Sequence, residues 1–308
     1  MQERVINVKV ELIAGQDNCF NYPSGVTYDK ENKVLYIADL HNNRVCMLDE
    51  QTRHIHKLTR EIRLPDGTTK FLDRPLAISI GAEGGIYIAD AGLHEILRLN
   101  KHRQYWETLA YNCSDNGITS QSSPFCMPSG IAVDDRLNVY TNDFFNNRLC
   151  MISPEGNLKC LTADNGEYGF EDGDINHALI NKPYGVCVSG SKLYFADTGN
   201  NVLRFVDLNL YRTETVWSAS PILHPVAVAA APDDTVIICE QRRILLYSHE
   251  TASLTTLIDK EVWKILADVH GLPAKLGYTG AVTAPYNGLI YWVDTVKGMV
   301  YKLIYDTT

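Results

Sequence analysis

The chain of 308 residues lacks several features that assign proteins to a class at once. It has no Cys-x-x-Cys pair, which disfavours a structural zinc site. No apolar run is long enough to cross a bilayer. The first residues, MQERVINVKVELIAG, alternate like a strand and lack the basic start and apolar block of a secretory signal. We therefore expect a cytoplasmic protein without membrane contact, with a secreted protein as the alternative.

Catalytic motifs of fixed spacing are also missing. The sequence contains no Gly-x-Ser-x-Gly elbow, no P-loop and no His-Glu-x-x-His pair. Because catalytic groups can be distant in sequence, this absence lowers the expectation of an enzyme without excluding one.

Basic residues are fewer than acidic ones: the chain has 28 Lys and Arg, 37 Asp and Glu, and a net charge of -9. Such a surface repels phosphate backbones, so general nucleic-acid binding is disfavoured. A cation or a basic partner fits the overall sign better.

Most of the eight cysteines lie inside apolar strand patterns and are interpreted as small buried hydrophobic residues: Cys46, Cys150, Cys160, Cys187 and Cys239. Cys113 and Cys126 bracket one loop and could form a disulfide. Asn112-Cys113-Ser114 also matches a glycosylation acceptor. A reduced cytosolic protein remains the simpler interpretation.

The sequence does contain a unit that recurs around the chain. Residues 36–49 read YIADLHNNRVCMLD, residues 140–153 read YTNDFFNNRLCMIS, and residues 194–207 read YFADTGNNVLRFVD. In each of six units an acidic residue ends a short apolar strand, with successive acids 43 to 54 residues apart: Asp39, Asp90, Asp143, Asp197, Glu240 and Asp294.

A second apolar strand precedes each acid and opens with a related motif (YPSGV, RPLAI, MPSGI, KPYGV, HPVAV and YTGAV). A third strand follows each acid, and a fourth follows five of them. The sixth unit lacks a fourth strand, and a spare strand lies at the N-terminus. This pattern predicts an all-β fold, a six-bladed β-propeller with four antiparallel strands per blade. The N-terminal strand is expected to close the ring by pairing with the last blade.

We expect a single propeller domain over residues 1–308. Its blades are expected at 16–60, 74–110, 127–162, 182–218, 224–258 and 278–308, the last completed by residues 5–15. On each first strand small residues alternate with larger ones, so the small face of one blade can pack on the larger face of its neighbour.

This arrangement resembles the NHL-repeat family. The resemblance rests on PSGV, YIAD and NNRV in the first blade, MPSGI and FNNRL in the third, and KPYGV and YFADTGNN in the fourth. Residues 161–186 look like the family's connection between blades. The resemblance spans essentially the whole chain and is eroded in blades two, five and six. It implies a propeller that binds proteins, peptides or RNA on one face, and the acidic charge favours protein or peptide.

The six acids could form a carboxylate ring that holds a cation, or they could cap turns. Asp and Asn suit the Asp-x-x-Asn-Asn-Arg turn because their side chains bond nearby backbone and tolerate left-handed geometry. We favour capping because the acids recur in nearly every blade. The acidic stretch at 164–174 lacks the ligand order of an EF-hand and is also interpreted as structural. We expect no cofactor and no metal, with calcium or zinc as the alternative.

Three connections between blades are long, at residues 60–74, 111–127 and 259–278. The last contains a predicted helix with Asp259 as N-cap and Gly271 as C-cap. The helix is expected either to cover the channel mouth as a lid or only to fill the sixth blade. Its apolar stripe is predicted to be Val262, Ile265, Leu266 and Val269.

The candidate binding site is the mouth of the central channel, on the face that carries the connections between blades and the Asp-Asn turns. We call this the loop face. The residues at the strand openings include aromatic, basic and imidazole groups, which suit an anionic or aromatic ligand. The candidates are Tyr22, Arg74, Met127, Lys182, Tyr184, His224, Glu240, Arg242 and Tyr278.

Two functions remain open. Peptidyl-hydroxyglycine lyases resemble this fold and hold zinc with three histidines, but only His224 occupies a strand opening here, while His41 and His94 lie in turns. Calcium-dependent lactonases place Glu, Asn and Asp at the openings, and none of the six has one. We therefore favour a binding module for a protein, peptide or small ligand on the loop face. The alternative is a channel-mouth lyase, isomerase or hydrolase, related to NHL-type lyases or strictosidine-synthase-like propellers.

Overall fold

The computed structural model describes residues 7–100, 105–109, 124–164, 166–216 and 221–306. Six antiparallel sheets surround a central axis. The innermost strand of each blade contacts the innermost strand of the next, and the sixth contacts the first. The predicted all-β six-bladed propeller is therefore confirmed. Among the described residues, none of the helices has the length and apolar character to cross a bilayer.

The regular elements are given in chain order. The strands are β1 (Val8–Ala14), β2 (Pro23–Asp29), β3 (Val34–Asp39), β4 (Arg44–Asp49), β5 (Ile55–Thr59), β6 (Glu61–Arg63), β7 (Thr69–Phe71), β8 (Pro75–Ile80), β9 (Ile86–Asp90), β10 (Glu95–Asn100), β11 (Tyr105–Leu109), β12 (Pro128–Val133), β13 (Val139–Asp143), β14 (Arg148–Ile152), β15 (Leu158–Cys160), β16 (Gly173–Asp174), β17 (Pro183–Ser189), β18 (Lys192–Asp197), β19 (Val202–Asp207), β20 (Arg212–Thr215), β21 (Ala227–Ala230), β22 (Val236–Cys239), β23 (Ile244–Ser248), β24 (Ser253–Ile258), β25 (Thr279–Tyr286), β26 (Leu289–Asp294) and β27 (Met299–Tyr305). The helices are α1 (Lys260–His270) and two short 3-10 turns, Leu40–Asn42 and Thr198–Asn200.

From the axis outward, blades one to three are β2–β5, β8–β11 and β12–β15. Blades five and six are β21–β24 and β25–β27 followed by β1. Blade four is β17–β20 and departs from the four-strand pattern, because the short strand β16 adds a fifth strand at its outer edge. A separate hairpin of β6 and β7 lies between blades one and two.

The N-terminal strand closes the ring as predicted. β1 runs antiparallel to β27, from Val8 opposite Tyr305 to Ala14 opposite Val300. Val10 is buried in the apolar cluster between blades five and six, and Ile13 in the cluster between blades six and one, at 2% and 5% exposure. The last blade is thus assembled from both ends of the chain, and no long edge is left unpaired there.

Glycines on the innermost strands allow neighbouring blades to approach each other near the axis. A Cβ atom added at Gly25 would lie 3.0 Å from the Cα of Ala77 in the next blade. One added at Gly185 would lie 2.7 Å from the Cα of Ala227. Such contacts are too close for any side chain, which is a common reason for glycine in a strand. The small face predicted from the sequence is therefore the face turned towards the next blade.

The helix predicted between blades five and six is present, with both predicted caps. The Asp259 side chain accepts hydrogen bonds from the backbone N–H groups of Glu261 and Val262, and Gly271 ends the helix at a φ of 64°. The predicted apolar stripe was wrong in part. Ile265 and Val269 are 65% and 71% exposed, while the buried side chains are Trp263, Leu266 and Ala267.

The position of α1 excludes the lid, one of the two alternatives that the sequence left open. The helix packs on β1 and β24, the outermost strands of blades six and five. Trp263 lies edge-on against Trp292 and Tyr301, and its indole N–H donates to the carbonyl of Pro273 at 2.9 Å. The helix therefore fills the outer gap between two blades, far from the axis, because the indole finds there both an aromatic surface and an acceptor.

Ring closure predicts a large penalty for a charge on the inner face of β1. Val10→Asp should lower the free energy of unfolding by about 3–5 kcal/mol, because it buries an unpaired charge. Lys9→Asp places the same group on the exposed face of the strand and should change stability by less than about 0.5 kcal/mol. Urea unfolding monitored by tryptophan fluorescence measures both. Equal effects would contradict the closure.

Candidate functional site

The loop face is the end of the propeller at which the candidate residues lie. Strands within a blade alternate in direction. The turn between the second and third strands therefore lies at the same end as the connection from the fourth strand to the next blade. Every candidate residue belongs to one of these segments or to the first residues of an innermost strand.

Each of the six repeated acids binds the backbone of a connection between blades. The carboxylates are buried, with residue exposures from 0% to 3%. Each accepts a hydrogen bond of 2.7 to 2.9 Å from the amide that stands one residue ahead of a strand opening, an interaction we call a carboxylate clamp. The acids Asp39, Asp90, Asp143, Asp197, Glu240 and Asp294 accept from Asn21, Asp73, Cys126, Asn181, Leu223 and Gly277 respectively.

Four clamps also contain an arginine. The pairs are Asp39 with Arg44, Asp143 with Arg148, Asp197 with Arg204, and Glu240 with Arg243, at 2.6 to 2.9 Å. Each arginine also donates to a carbonyl two residues ahead of the clamped amide, at Cys19, Pro124, Leu179 and Pro221. Acid and arginine thus bind the connection through both its donor and its acceptor groups. These contacts support the turn-capping interpretation over the cation ring.

Asp90 differs from these four because no arginine pairs with it among the described residues. Its carboxylate accepts only backbone N–H groups, from Asp73, Gly92 and Leu93. Burial raises the pKa of Asp90 from 3.8 to about 7, against the lowering effect of these hydrogen bonds. Burial also raises the pKa of Asp294, which has no arginine partner either in the described chain.

The two asparagines of the repeated turn have separate roles. The first donates to the acid of its own blade at 2.8 Å (Asn42, Asn146 and Asn200). The second accepts the backbone N–H of the strand-opening residue in the next blade at 2.9 Å: Asn43 from Arg74, Asn147 from Lys182, and Asn201 from His224. In blade two, Nδ1 of His94 accepts from Met127 at 3.0 Å in the same way. These bonds therefore connect each of blades one to four to the blade that follows it.

These bonds hold a strained backbone at the channel mouth. Five strand-opening residues have positive φ values of 47° to 61°, namely Tyr22, Arg74, Met127, Lys182 and His224. The left-handed region is unfavourable for such residues by about 1–2 kcal/mol each. The clamps on the preceding amides over-determine the conformation and keep it in place.

The structure brings some of the predicted site residues together. Tyr22 stacks on His41 with ring centroids 4.6 Å apart. The Arg242 guanidinium lies 5.4 Å above the Tyr278 ring. We call the exposed candidates the mouth rim: Tyr22, Arg74, Lys182, His224, Arg242 and Tyr278.

Met127 and Tyr184 form the floor of the mouth. They pack on Leu40, Leu76 and Ala91, an apolar cluster contributed by the first two blades. Burial raises the pKa of Tyr184 to about 12, and the nearby Tyr22 adds to the effect. The channel beneath is narrow, with a cavity of about 60 Å³ at this end and about 190 Å³ at the other.

Glu240 does not join the rim. Its carboxylate is 3% exposed and is occupied by Arg243 and by the amide of Leu223. The channel cavity is lined by Tyr184 but not by His224, Glu240 or Arg242. The described residues therefore do not bring these four side chains into one pocket.

The structure offers no ready metal site within its described residues, because no group of three or more His, Cys, Asp or Glu side chains is arranged to hold an ion. The acidic stretch at 164–174 uses its charges inside the scaffold. Asp164 pairs with Arg148, and Asp172 pairs with Arg204 at 2.7 Å and accepts from Thr215. The Cys113–Cys126 pairing lies outside the described residues, because Cys113 is not among them.

Comparisons with known proteins agree with this architecture. The sequence model of the NHL repeat matches residues 20–46, in blade one. NHL repeat-containing protein 2 of Homo sapiens is 27% identical over 103 residues, covering 32% of this chain and 14% of that protein. This chain is a six-bladed β-propeller with an NHL repeat in its first blade.

Another curated relative is matched over more of the chain at lower identity. Protein SUPPRESSOR OF QUENCHING 1, chloroplastic, of Arabidopsis thaliana is 22% identical over 270 residues, covering 63% of this chain and 26% of that protein. The chain thus spans about a quarter or less of the curated relatives it matches.

Solved structures with the same fold include enzymes. One is a catalytically inactive virginiamycin B lyase from Staphylococcus aureus with quinupristin, with a TM-score of 0.63 and 12% identity, covering 97% of this chain and 99% of that chain. Another is a gluconolactonase from Xanthomonas campestris, with a TM-score of 0.67 and 13% identity, covering 97% and 90%. At these identities the likeness establishes the fold alone.

Sequence reasoning missed several exposed apolar residues of the loop face. They are Phe145, Tyr168, Phe170, Leu223 and Val296, each at least 50% exposed. They lie in the connections between blades and in the variable positions of the Asp-Asn turns. The signal was available for Phe145 and Val296, which are large apolar residues at turn positions whose identity the repeat does not fix.

The clamps predict unequal penalties for equivalent substitutions. Asp197→Asn removes the buried one of the two carboxylates that pair with the fully buried Arg204, leaves only the partly exposed Asp172, and should destabilise the protein by about 3 kcal/mol. Asp90→Asn leaves no cation unpaired and should cost about 1–2 kcal/mol. Urea unfolding at neutral pH compares the two matched variants. Similar penalties would contradict the role assigned to the arginine.

The raised pKa of Asp90 predicts a pH dependence of a defined sign. Because the folded protein holds this proton more tightly than the unfolded chain, protonation stabilises the fold below the unfolded value of 3.8. That stability is lost as pH rises to about 7. The stability advantage of the wild type over Asp90→Asn should therefore be largest near pH 4 and smaller at pH 7. Urea unfolding across this range measures it, and a constant or growing difference would exclude a raised pKa.

Proposed function

We propose that this chain is a binding module whose loop face recognises an acidic segment of a protein or peptide that also carries aromatic or apolar side chains. The observation that carries the proposal is the mouth rim, in which three exposed cations, two exposed tyrosine rings and His224 surround the channel. The partner would lie across the mouth, on the apolar floor formed by Met127 and Tyr184.

Apolar exposure supports a macromolecular partner. The large hydrophobic side chains exposed by 38% or more in loop-face segments include Tyr22, Phe145, Tyr168, Phe170, Leu223, Tyr278 and Val296. Exposed apolar groups with a polar surround are typical of interaction sites. Aromatic residues and arginine also contribute most of the binding energy in many interfaces.

Charge supports the choice of an acidic segment. The whole chain carries a net charge of -9, yet the rim contributes Arg74, Lys182 and Arg242. Arg74 lies 3.7 Å from Asp73 with more than half of its side chain exposed, which makes this a weak ion pair. Complementary charge of this kind steers association and fixes orientation. The side chains of the mouth rim therefore carry positive charge, although the net charge of the whole chain is negative.

Scaffold geometry favours binding over the channel-mouth enzyme. A channel-mouth enzyme would need an available acid or base, but Glu240 is occupied by its clamp, and His224 lies outside the channel cavity. The similarity to lyase and gluconolactonase structures concerns the fold. The narrow channel and the broad exposed rim fit a surface partner better than an enclosed small substrate.

A peptide array tests the proposal. The array should present twelve-residue peptides that vary independently in net charge and aromatic content. Acidic peptides with aromatic residues should bind best, and added salt should weaken them. The charge-reversal variant Arg74→Glu/Lys182→Glu/Arg242→Glu should lose at least tenfold in affinity for the best peptide, measured by fluorescence anisotropy.

A matched control carries the same charge change on the opposite face. Lys30→Glu/Lys33→Glu/Arg136→Glu alters three exposed residues in the turns between first and second strands, and it should retain wild-type affinity. An equal loss in both variants would show only a general charge effect. No selectivity for acidic peptides, or turnover of lactone substrates by the wild type, would count against the binding module.

A further inference from the structure

Two cysteines face each other across the outer strands of blade three. Cys150 in β14 is the direct register partner of Cys160 in β15. The neighbouring pair is hydrogen-bonded, because the Leu161 N–H donates to the Leu149 carbonyl at 2.8 Å. Since the two kinds of pair alternate along an antiparallel ladder, the cysteines occupy a non-hydrogen-bonded pair.

That register places the thiols within reach of each other. Cα atoms in a non-hydrogen-bonded pair are about 4.5 Å apart, the closest approach that antiparallel strands provide. Disulfides join residues whose Cα atoms are about 4.4–6.8 Å apart. A bond between Cys150 and Cys160 therefore needs no change of strand register.

The surroundings give the two thiols different characters. Cys150 is fully buried, whereas Cys160 is half-buried and lies 3.6 Å from Nη1 of Arg148. A hydrogen bond from Cys150 and the positive charge of Arg148 lower the pKa of Cys160, opposed by burial and by Asp164. The same hydrogen bond, together with burial, raises the pKa of Cys150. Cys160 is thus the better nucleophile of the pair.

Blade one supplies a built-in comparison. Cys46 occupies the position in β4 that Cys150 occupies in β14, but its register partner is Lys57. Burial raises the pKa of Cys46 to about 11 and that of Cys239 to about 12. Among the described residues, only blade three therefore combines an opposed thiol with a neighbouring guanidinium.

We propose that Cys150 and Cys160 form a redox-active dithiol that a peroxide converts into a cross-strand disulfide. The Cys160 thiolate attacks one oxygen of hydrogen peroxide, so that an S–O bond forms, the O–O bond breaks and the leaving hydroxide takes a proton to become water. Cys150 then attacks the Cys160 sulfur, the S–S bond forms, the S–O bond breaks, and the hydroxide leaves as a second water with the Cys150 proton. Two thiols are oxidised by two electrons, and one peroxide is reduced to two waters.

The disulfide would link the shortest strand of blade three to its neighbour. β15 has only three residues and leads into the connection that carries Asp164, Tyr168 and Phe170 on the loop face. A covalent link to β14 restricts the unfolded chain, so the oxidised protein should melt at a higher temperature than the reduced protein. Oxidation would thereby stabilise one segment of the candidate binding face.

Peptide mapping of the full chain tests the proposal. Fully reduced protein is treated with hydrogen peroxide, the remaining thiols are alkylated after denaturation, and the digest is analysed by mass spectrometry. A linked peptide containing Cys150 and Cys160 should accumulate first, while Cys46, Cys187 and Cys239 remain alkylated. The expected result is this disulfide without oxidation of Cys46, Cys187 or Cys239.

Single variants separate the two roles. In Cys150→Ala the sulfenic acid of Cys160 should persist and react with dimedone, whereas Cys160→Ala should give no adduct at Cys150. Circular dichroism checks that both variants fold. The peptide map of the wild-type protein tests the disulfide even if a variant fails to fold. The proposal is overturned if Cys46 oxidises as fast as the pair, if Cys160 links elsewhere, or if Cys150→Ala gives no dimedone adduct.

Discussion

A buried carboxylate that accepts a backbone amide from the next connection is the interaction on which this propeller depends. It occurs in all six blades at nearly the same distance, and in four of them an arginine extends it to a backbone carbonyl. Without it, each connection would bury an unpaired amide beside a strained strand opening. In blades one, three and four the second turn asparagine, and in blade two His94, also accepts the strand-opening amide of the next blade, so the turns of the loop face are linked from blade one to blade five.

The repeated polar residues stabilise the fold, and the residues available for binding lie at other positions. The acids, the clamp arginines and the turn asparagines have their polar groups occupied by the scaffold, which leaves little chemistry free in the repeated positions. The exposed groups lie where the repeat imposes no requirement: the residues at the strand openings, such as Arg74 and Lys182, and the free turn positions, such as Phe145 and Val296. A repeated unit builds the platform, and its departures determine what the platform binds.

Much of the fold followed from sequence because its signals are local and repeated. The spacing of the acids and the unpaired N-terminal strand predicted six blades and their closure, and Asp259 with Gly271 predicted the helix. The buried face of that helix was not predictable. It is set by the contact of Trp263 with aromatic side chains of blade six, and the apolar periodicity of the helix carries no information on that contact. Glu240 looked available because its arginine partner stands three residues away, outside the usual motif. The opposition of Cys150 and Cys160 depends on strand register, which is set by the turn between them.

Native-state hydrogen exchange tests the carboxylate clamps most directly. The amides of Asn21, Asp73, Cys126, Asn181, Leu223 and Gly277 lie in connections, where exposed amides exchange within seconds to minutes. If the clamps hold the loop face, these six amides should be protected to the level of the innermost strands, and should exchange only in larger openings of the structure. Exchange at ordinary loop rates would contradict the account, because the carboxylates would then not be binding the connections in solution.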